Sequence, residues 1–333
     1  MRNWGARLRT DLQLCGWSAA VLENERLRVT LLVGKGGDVV EFLHKPTDTD
    51  FCHFTAMGLR RRDEVSGRPF LDQYEGGWQE IFPHAGAPGA YQGVWSDQHA
   101  EVSLLPWDLA VIRDTEDEVA LRLQVRCQRS PFVLDRTLVL RSGDCRLSVT
   151  SSVTNVGNVR YPGMWGQHLA FGAPYLSSGT EITLPSGCRG LPHGPTALDP
   201  DGGRFFPLAE APIQRFRAPE PGQPSDIRYV TGFSEGRYTI CNVLHPVGLE
   251  VRWDASLLPY LWLWVESGGG SGYPWFGREY MIGVEPFSSF PTNGLAEAVS
   301  NGSALFWDPG ETKTLYWSCA VTHVDVSTGD AAW

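Results

Sequence analysis

Apolar residues recur at every second position along much of this chain, and no other feature constrains the fold as strongly. In residues 120–127, for example, Leu121, Leu123 and Val125 alternate with Arg122 and Gln124. Side chains of a β-strand point alternately to its two faces, so this alternation predicts strands with one buried face. The same pattern marks residues 27–33, 39–43, 132–141, 145–153, 249–253 and 315–321. Helical periodicity is confined to residues 295–300, which predict one or two turns of helix.

Turn-forming residues separate these segments. The chain has 37 glycines and 23 prolines among 333 residues, and tight-turn sequences occur at Gly34–Gly37 and Ser142–Asp144. Residues 190–226, rich in proline, glycine and aspartate, are predicted to form long loops. We therefore predict an antiparallel all-β protein. The length alone leaves open whether the chain forms two domains or one unusually large β domain.

The charge and the apolar runs exclude several classes of partner. The chain has 28 basic and 38 acidic residues, a formal net charge of −10, which argues against binding to nucleic acid or anionic membranes. The longest apolar run, Leu257–Val265, is about half as long as a membrane span. No signal-peptide core follows the arginines near the N-terminus. We expect no nucleic-acid or membrane partner and a cytoplasmic location.

The metal-binding and cofactor motifs are missing from the sequence. The 7 cysteines form no C-x-x-C pair, and the 8 histidines show no spacing typical of metal ligands. No G-x-G-x-x-G follows a predicted strand. We therefore predict a reduced protein with neither a zinc site nor a disulfide framework, and with no metal, nicotinamide or flavin cofactor.

Tryptophans are numerous, and many lie in segments rich in glycine and proline. A flat indole ring suits the apolar face of a sugar ring, as it suits other flat apolar ligands. Large β-sheet cores also contain many aromatic residues, so each tryptophan has a core role as its alternative. The tryptophans in question are Trp78, Trp95, Trp107, Trp165, Trp262, Trp264 and Trp275.

Three histidines and one glutamate are candidates for chemistry. His168 lies in an aromatic segment, Tyr161–Gly172, while His99 and His84 lie in segments with loop character. A partly buried imidazole can donate or accept a proton near neutral pH, although a structural histidine is the simpler interpretation of each. Glu285 ends the apolar segment Tyr280–Val284. A carboxylate in that setting is a candidate base, and its alternative role is an ordinary ion pair at the rim.

Several short motifs in a fixed order resemble one known superfamily. They are Gly76-Gly-Trp-Gln-Glu-Ile-Phe-Pro83, His99-Ala-Glu with Pro106-Trp107, Asn155 through His168-Leu-Ala-Phe-Gly172, Gly283-Val-Glu-Pro286 and Asp308-Pro-Gly-Glu311. Together they resemble the aldose 1-epimerase (galactose mutarotase-like) superfamily, and within it a divergent branch. The resemblance covers roughly residues 20–323.

The resemblance implies a single large antiparallel β-sandwich domain over residues 1–333, with its core at about 20–323 and an open sugar cleft. It also implies interconversion of the α and β anomers of a free aldose without a cofactor. In that reaction Glu285 would take the proton of the C1 hydroxyl, and His168, as an imidazolium, would protonate the ring oxygen. His99 would hydrogen-bond beside the ring oxygen and stabilise the developing charge.

The cleft is expected to form from residues 74–84, 95–107, 161–172 and 260–286, with a small sugar or sugar derivative as the partner. Its proposed substrate-binding residues are Trp78, Glu80, His84, Trp165, Trp262, Trp264 and Trp275.

Departures from the family pattern leave the substrate and the reaction open. The asparagine–arginine pair of the family is absent, with Glu75 and Gln79 in its neighbourhood, and Asp254 is the weak candidate for its hydroxyl-binding aspartate. A lyase or hydrolase would pair Glu285 with Glu266 or Glu80, and a non-catalytic sugar binder is a third possibility. Residues 60–62, all arginine, would hold a phosphate if the sugar were phosphorylated, although such a run is more often a solvated loop.

Overall fold

Strands dominate the structure, which is a computed structural model and describes residues 2–191, 212–325 and 330–332. The α-helices are α1 (Arg62–Val65), α2 (Phe70–Gln73) and α3 (Leu295–Ser300), and 3-10 turns occur at Lys45–Thr47 and Val102–Leu104. The strands, in chain order, are β1 (Arg7–Leu14), β2 (Trp17–Glu23), β3 (Leu27–Leu32), β4 (Asp38–His44), β5 (Thr49–Asp50), β6 (Trp78–Ile81), β7 (Gly89–Tyr91), β8 (Val94–Ser96), β9 (Asp108–Asp114), β10 (Glu118–Arg126), β11 (Phe132–Arg141), β12 (Arg146–Asn155), β13 (Tyr161–Gly163), β14 (Gly166–Gly172), β15 (Thr180–Thr183), β16 (Arg189–Leu191), β17 (Arg215–Arg217), β18 (Gln223–Thr231), β19 (Gly236–Asn242), β20 (Val247–Trp253), β21 (Tyr260–Ser267), β22 (Tyr280–Phe287), β23 (Leu305–Trp307), β24 (Thr312–Asp325) and β25 (Asp330–Ala332). None of the described helices has the length and apolar character needed to cross a bilayer.

Two large antiparallel sheets form the body of the protein. The first has 11 strands in the order β1-β2-β3-β4-β6-β14-β22-β21-β18-β16, with β5 beside β4. The second has 10 strands in the order β17-β15-β19-β20-β24-β12-β11-β10-β9, with β25 beside β24. Strands β13 and β23 pair with each other, as do β7 and β8. The centre of the first sheet therefore joins β6, β14, β22 and β21, which are far apart in the sequence.

The main core lies between the two sheets and follows from the period-two alternation. Leu134, Leu138 and Leu140 of β11 are buried there, and the alternate positions 133, 135, 137 and 139 are partly exposed. From the first sheet, Leu261, Leu263 and Val284 belong to the same core. Burial of one face of each strand releases its apolar surface from water, which is the main favourable contribution to folding. The prediction of an all-β antiparallel sandwich is confirmed.

Most predicted strands and the predicted helix occur in the structure at the predicted positions. One prediction, that of the long loops, needs correction. The segments 120–127, 132–141 and 145–153 form β10, β11 and β12, and residues 295–300 form α3. The prediction of long loops over 190–226 is wrong for residues 190–191, 215–217 and 223–226, because the end of β16, β17 and the start of β18 lie there. Residues 192–211 of that prediction lie outside the described part of the chain.

The opposite face of the first sheet is covered by the segments that connect its strands. Phe70 and Tyr74, from the connection between β5 and β6, pack on Met281 of β22. Leu295 and Ala298 of α3 belong to a second cluster with Trp262 and Phe287. Side chains on this face of β21 and β22 are thus enclosed although they point away from the main core. This enclosed layer contains the candidate site.

A buried group of charges lies beside the main core. The Nζ atom of Lys35 is 2.5 Å from Oδ2 of Asp38 and 2.7 Å from Oε2 of Glu75, and the three side chains are at most 1% exposed. Burial, opposed by Lys35, raises the pKa of Asp38 to about 8. Lys35 therefore compensates charge that would otherwise be strongly disfavoured in this interior.

We expect Lys35→Met to lower the free energy of unfolding by about 3–5 kcal/mol, because removing one partner leaves buried charge uncompensated. Urea denaturation followed by circular dichroism measures this change. The matched control is Arg61→Met, since Arg61 pairs with Asp63 at a surface where both side chains are more than half exposed and such pairs contribute about 0–1 kcal/mol. Equal effects of the two substitutions would contradict the prediction.

Candidate functional site

A pocket of about 320 Å³ opens on the covered face of the first sheet. This volume lies at the lower end of the roughly 300–1,000 Å³ found for small-molecule sites. The described residues that line it are Phe70, Leu71, Tyr74, Gln98, His99, His168, Ile227, Trp262, Trp264, Tyr273, Pro274, Trp275, Glu285 and Thr292. We refer to it as the central pocket.

The register of β14 and β22 places His168 beside Glu285. Gly166 pairs with Phe287 and Ala170 pairs with Gly283, so His168 and Glu285 fall opposite each other between these pairs. Their side chains point to the same face, and Nε2 of His168 is 3.5 Å from Oε1 of Glu285. Both side chains are almost completely buried, at 4% and 2% exposure. Two groups able to exchange protons thus meet in the pocket, although they are 117 positions apart in the sequence.

Gly283 makes room for the Glu285 carboxylate. A Cβ atom on Gly283 would lie 2.0 Å from Oε1 of Glu285 and 3.3 Å from the ring of Trp264. Any larger residue here must displace the carboxylate or the tryptophan.

We expect Gly283→Ala to lower kcat by about 10²-fold if Glu285 acts on the substrate, because a displacement of about 1 Å is enough for such a loss. Steady-state kinetics on a confirmed substrate measures it. Gly179→Ala is the control, since a Cβ at Gly179 meets its nearest atom at an ordinary 3.6 Å. Unchanged kcat in Gly283→Ala would show that the position of the carboxylate does not matter.

His99 reaches the pocket from the loop before the Val102–Leu104 turn. Its φ of 55° lies in the left-handed region, which is uncommon for residues other than glycine. The loop is held in place because Ser103 Oγ donates to the His99 carbonyl at 2.5 Å. In addition, Glu101 accepts hydrogen bonds from the backbone N–H groups of Gln128 and Arg129.

The hydrogen bonds of His99 indicate its tautomer. The backbone N–H of Gly86 donates to Nδ1 of His99 at 3.3 Å, which leaves Nε2 as the protonated nitrogen of a neutral ring. Burial, with the neighbouring His168, lowers the pKa of His99 well below its ordinary value. The ring centroids of His99 and His168 are 5.3 Å apart. His99 is therefore equipped to donate one hydrogen bond beside the pair.

Burial favours the neutral forms of both members of the pair. It lowers the pKa of His168 to about 4 and raises the pKa of Glu285 well above its ordinary value. None of the described residues lining the pocket is a lysine or arginine that could stabilise a carboxylate. The expectation of a resting imidazolium with an ionised glutamate disagrees with this setting, because among the described lining residues neither charge would have a compensating partner except the other.

Aromatic rings form most of the pocket wall. The Trp262 ring stacks on Phe287, with centroids 3.8 Å apart, and its Nε1–H donates to the Ser289 carbonyl at 2.8 Å. Trp264 and Trp275 lie 5.5 Å apart. These three predicted tryptophans, with His99, His168 and Glu285, line the central pocket. Such rings present flat apolar surfaces of the kind that sugar rings pack against.

Four predicted substrate-binding residues lie elsewhere. Trp78 and Trp165 point into the main core between the sheets. Glu80 also points there, where its carboxylate accepts from Trp165 Nε1 at 2.7 Å and from Ser151 Oγ at 2.9 Å. His84 is buried, with Nε2 bonded to the Ala87 carbonyl at 2.7 Å and Nδ1 facing the N–H of Leu295. None of the four lines the central pocket, and each has a structural explanation.

The alternative acidic and basic residues also have structural partners. Glu266 accepts hydrogen bonds from Ser225 Oγ and from the N–H of Gly270, and Asp254 accepts from the N–H and hydroxyl of Ser256. Arg61 is paired with Asp63 at the surface. Among the described lining residues, Glu285 is the only carboxylate. Within the described ranges, no group of three His, Cys, Asp or Glu side chains could hold a metal ion.

Four lining residues lie outside the segments expected to form the cleft: Phe70, Leu71, Ile227 and Thr292. Four others lie inside those segments but were not singled out: Tyr74, Gln98, Tyr273 and Pro274. Phe70 and Tyr74 lie in a connection with no periodic pattern, and their pocket role comes from folding over the sheet. Gln98 precedes His99 and Pro274 precedes Trp275, and this adjacency is the local signal available for them.

Comparison with known protein families identifies the chain. A family model described as a domain of unknown function, DUF4432, matches residues 15–321. The chain belongs to the DUF4432 family. A search of curated proteins gave no match for this DUF4432 protein.

Several solved structures share this fold, and some of them are described as aldose 1-epimerase or mutarotase-like proteins. The DUF4432 protein is similar to a provisionally assigned aldose 1-epimerase from Klebsiella pneumoniae, at 14% identity and a TM-score of 0.74, covering 96% of this chain and 83% of that one. It is similar to the protein Slr1438 from Synechocystis, at 18% identity and a TM-score of 0.67, covering 96% and 99%. It is also similar to a galactose mutarotase-like protein from Clostridium acetobutylicum, at 12% identity and a TM-score of 0.67, covering 96% and 99%. At these identities the likeness shows the fold alone, so the resemblance drawn from the motifs is supported at that level.

Proposed function

We propose that this DUF4432 protein is an aldose 1-epimerase that interconverts the anomers of a small sugar in the central pocket. The observation that carries the proposal is the contact between His168 and Glu285, 3.5 Å apart in a pocket walled by aromatic rings. Mutarotation needs an acid and a base near one carbon atom, because the C1 hydroxyl loses a proton while the ring oxygen gains one. The hydroxyl oxygen and the ring oxygen are both bonded to C1, so two adjacent side chains can transfer protons to and from both oxygens.

The burial of the pair assigns the starting roles in this proposal. Neutral His168 takes the proton from the C1 hydroxyl, the bond between C1 and the ring oxygen breaks, and protonated Glu285 gives its proton to that oxygen. The products are the open-chain aldehyde, an imidazolium and a carboxylate. Rotation about the C1–C2 bond, followed by closure through the reverse transfers, yields the other anomer and restores the neutral pair. These roles are the reverse of those expected from the resemblance.

His99 and the tryptophans complete the proposed site. The Nε2–H of His99 would donate to the sugar beside the ring oxygen and stabilise the charge that develops as the ring opens. Trp262, Trp264 and Trp275 would pack on the apolar faces of the sugar and exclude water, which strengthens the hydrogen bonds made there. No cofactor enters this reaction.

Exchange spectroscopy tests the proposal directly. Magnetisation-transfer NMR on a panel of free aldoses, with sugar phosphates included, measures the rate of anomer exchange with and without the protein. We expect acceleration for at least one unphosphorylated aldose, since the described pocket lining carries no lysine or arginine to pair with a phosphate. A complete panel that shows no acceleration would contradict the proposed activity.

A glycoside hydrolase is disfavoured by the same geometry. Such enzymes use two carboxyl groups about 5–10 Å apart across the scissile bond. Glu285 has no carboxylate partner among the described lining residues, and the side chains of Glu80 and Glu266 are engaged in hydrogen bonds away from it.

A further inference from the structure

Tyr74 differs from the other fully enclosed tyrosines. Tyr175 donates its hydroxyl proton to the Ile240 carbonyl at 2.9 Å, and Tyr238 donates to the Val284 carbonyl at 3.1 Å. The Tyr229 hydroxyl lies 2.7 Å from Oγ1 of Thr292. Tyr74 is 2% exposed, yet its hydroxyl has no hydrogen-bond partner within the described residues. Buried phenols usually have a partner, so this exception calls for an explanation.

The position of Tyr74 suggests a ligand as that partner. Its ring lines the central pocket and stacks on Phe70, with centroids 5.2 Å apart. It also makes edge contacts with His168 at 5.6 Å and Trp275 at 6.1 Å. Two hydrogen bonds from Thr55 hold the backbone here. Its Oγ1 donates to the Tyr74 carbonyl, and its N–H donates to the Glu75 carbonyl. The Tyr74 ring is therefore packed beside His168, a member of the proposed acid–base pair, on an anchored backbone.

The surroundings keep the phenol protonated. Burial, followed by the nearby carboxyl group of Glu285, raises the pKa of Tyr74 well above its ordinary value. Glu75, Glu279 and Asp38 act in the same direction. Tyr74 thus offers a fixed O–H donor whose oxygen can also accept, which matches the requirements of a sugar hydroxyl.

We propose that Tyr74 binds the sugar hydroxyl on C2, next to the anomeric carbon. This inference rests on the proposed function and assigns a specificity-determining residue to it. His168 and Glu285 occupy the two oxygens attached to C1, so C2 carries the nearest remaining hydroxyl. The edge contact between Tyr74 and His168 places the phenol next to the group that serves C1. The substrate class is then an unphosphorylated aldose with a free C2 hydroxyl.

The test compares Tyr74→Phe with wild type on an accepted aldose and on its 2-deoxy analogue. One lost hydrogen bond corresponds to about a tenfold change. We expect wild type to favour the parent sugar over the 2-deoxy analogue by about tenfold in kcat/KM. In Tyr74→Phe the parent should fall by about tenfold and the analogue should be unchanged, so that the preference disappears.

The control is Tyr175→Phe, which removes a phenol that has a protein partner. It should lower the melting temperature and keep the preference for the C2 hydroxyl, whereas Tyr74→Phe should leave the melting temperature unchanged. Equal losses on both sugars in Tyr74→Phe would overturn the proposal. So would a shifted pH profile with the preference intact, because the phenol would then act on Glu285.

Sugar binding, measured by ligand-detected NMR, separates this proposal from the proposed activity. Discrimination between parent and 2-deoxy sugar that depends on Tyr74, without anomer exchange, would support the binding role and remove the epimerase. Anomer exchange that does not depend on Tyr74 would support the epimerase activity and overturn the binding role of Tyr74. Failure of every aldose to bind would overturn both.

Discussion

Glu285→Gln will lower the rate of anomer exchange by about 10²–10⁴-fold, the usual contribution of a positioned acid or base. Glutamine keeps the shape of the side chain and cannot give a proton to the ring oxygen. The aromatic walls remain, so sugar binding should weaken much less than turnover. NMR exchange kinetics and ligand-detected binding on the same samples measure the two effects separately.

Glu266→Gln is the matched control for this experiment. Glu266 is buried in the neighbouring strand β21, and its carboxylate is bonded to Ser225 and to the backbone of Gly270 instead of lining the pocket. We expect it to retain exchange. If Glu285→Gln kept nearly full activity while Glu266→Gln lost it, the acid would have been assigned to the wrong strand.

The fold could be predicted from the sequence because its signal is local. Alternation along β10, β11 and β12 is visible within ten residues, and one buried face per strand suffices to indicate a sandwich. The pairing of β14 with β22 has no such local signal, because the two strands are far apart in the chain. The motifs identified His168 and Glu285 individually, and the sheet register was needed to show that they touch.

The alternation itself explains two of the four misplaced site residues, Trp78 and Glu80. Trp78 and Glu80 lie on β6 on either side of Gln79, which pairs in register with His168. Side chains one position apart point to opposite faces, so the motif residues Trp78 and Glu80 face the main core. A choice of site residues by residue type alone does not show which face of the sheet each side chain lies on.

Tyr74 and Phe70 show a different limit. They come from the connection between β5 and β6, where no periodicity marks a buried position, and they become pocket residues only when that connection covers the sheet. The pKa shifts of His168 and Glu285 could not be predicted from the sequence either, since they depend on which charges the described pocket lining brings near the pair.

His168→Gln should also reduce the rate of anomer exchange by about 10²–10⁴-fold. Together with Glu285, His168 determines how that rate depends on pH. With the pKa of His168 lowered to about 4, the base is neutral and available above that pH, and protonation removes it below. With the pKa of Glu285 raised, the acid keeps its proton well above the ordinary glutamate range and is lost as the pH rises further. The profile should be a bell with its acid limb near pH 4 and its alkaline limb well above 4.5, both limbs belonging to the pair.

Because a neutral pair and an ion pair hold the same number of protons, the pH profile alone cannot identify which form is present. The ¹⁵N chemical shifts of the His168 ring identify the form that is present, once the signals are assigned by comparison with the spectrum of His168→Gln. We expect one protonated and one unprotonated ring nitrogen at pH 7, as in a neutral imidazole. The spectrum of His84→Gln identifies the His84 signals, which serve as the reference for a buried histidine outside the central pocket. Both ring nitrogens of His84 are hydrogen-bonded. Two protonated nitrogens on His168 at that pH would reverse the assigned roles and make Glu285 the base.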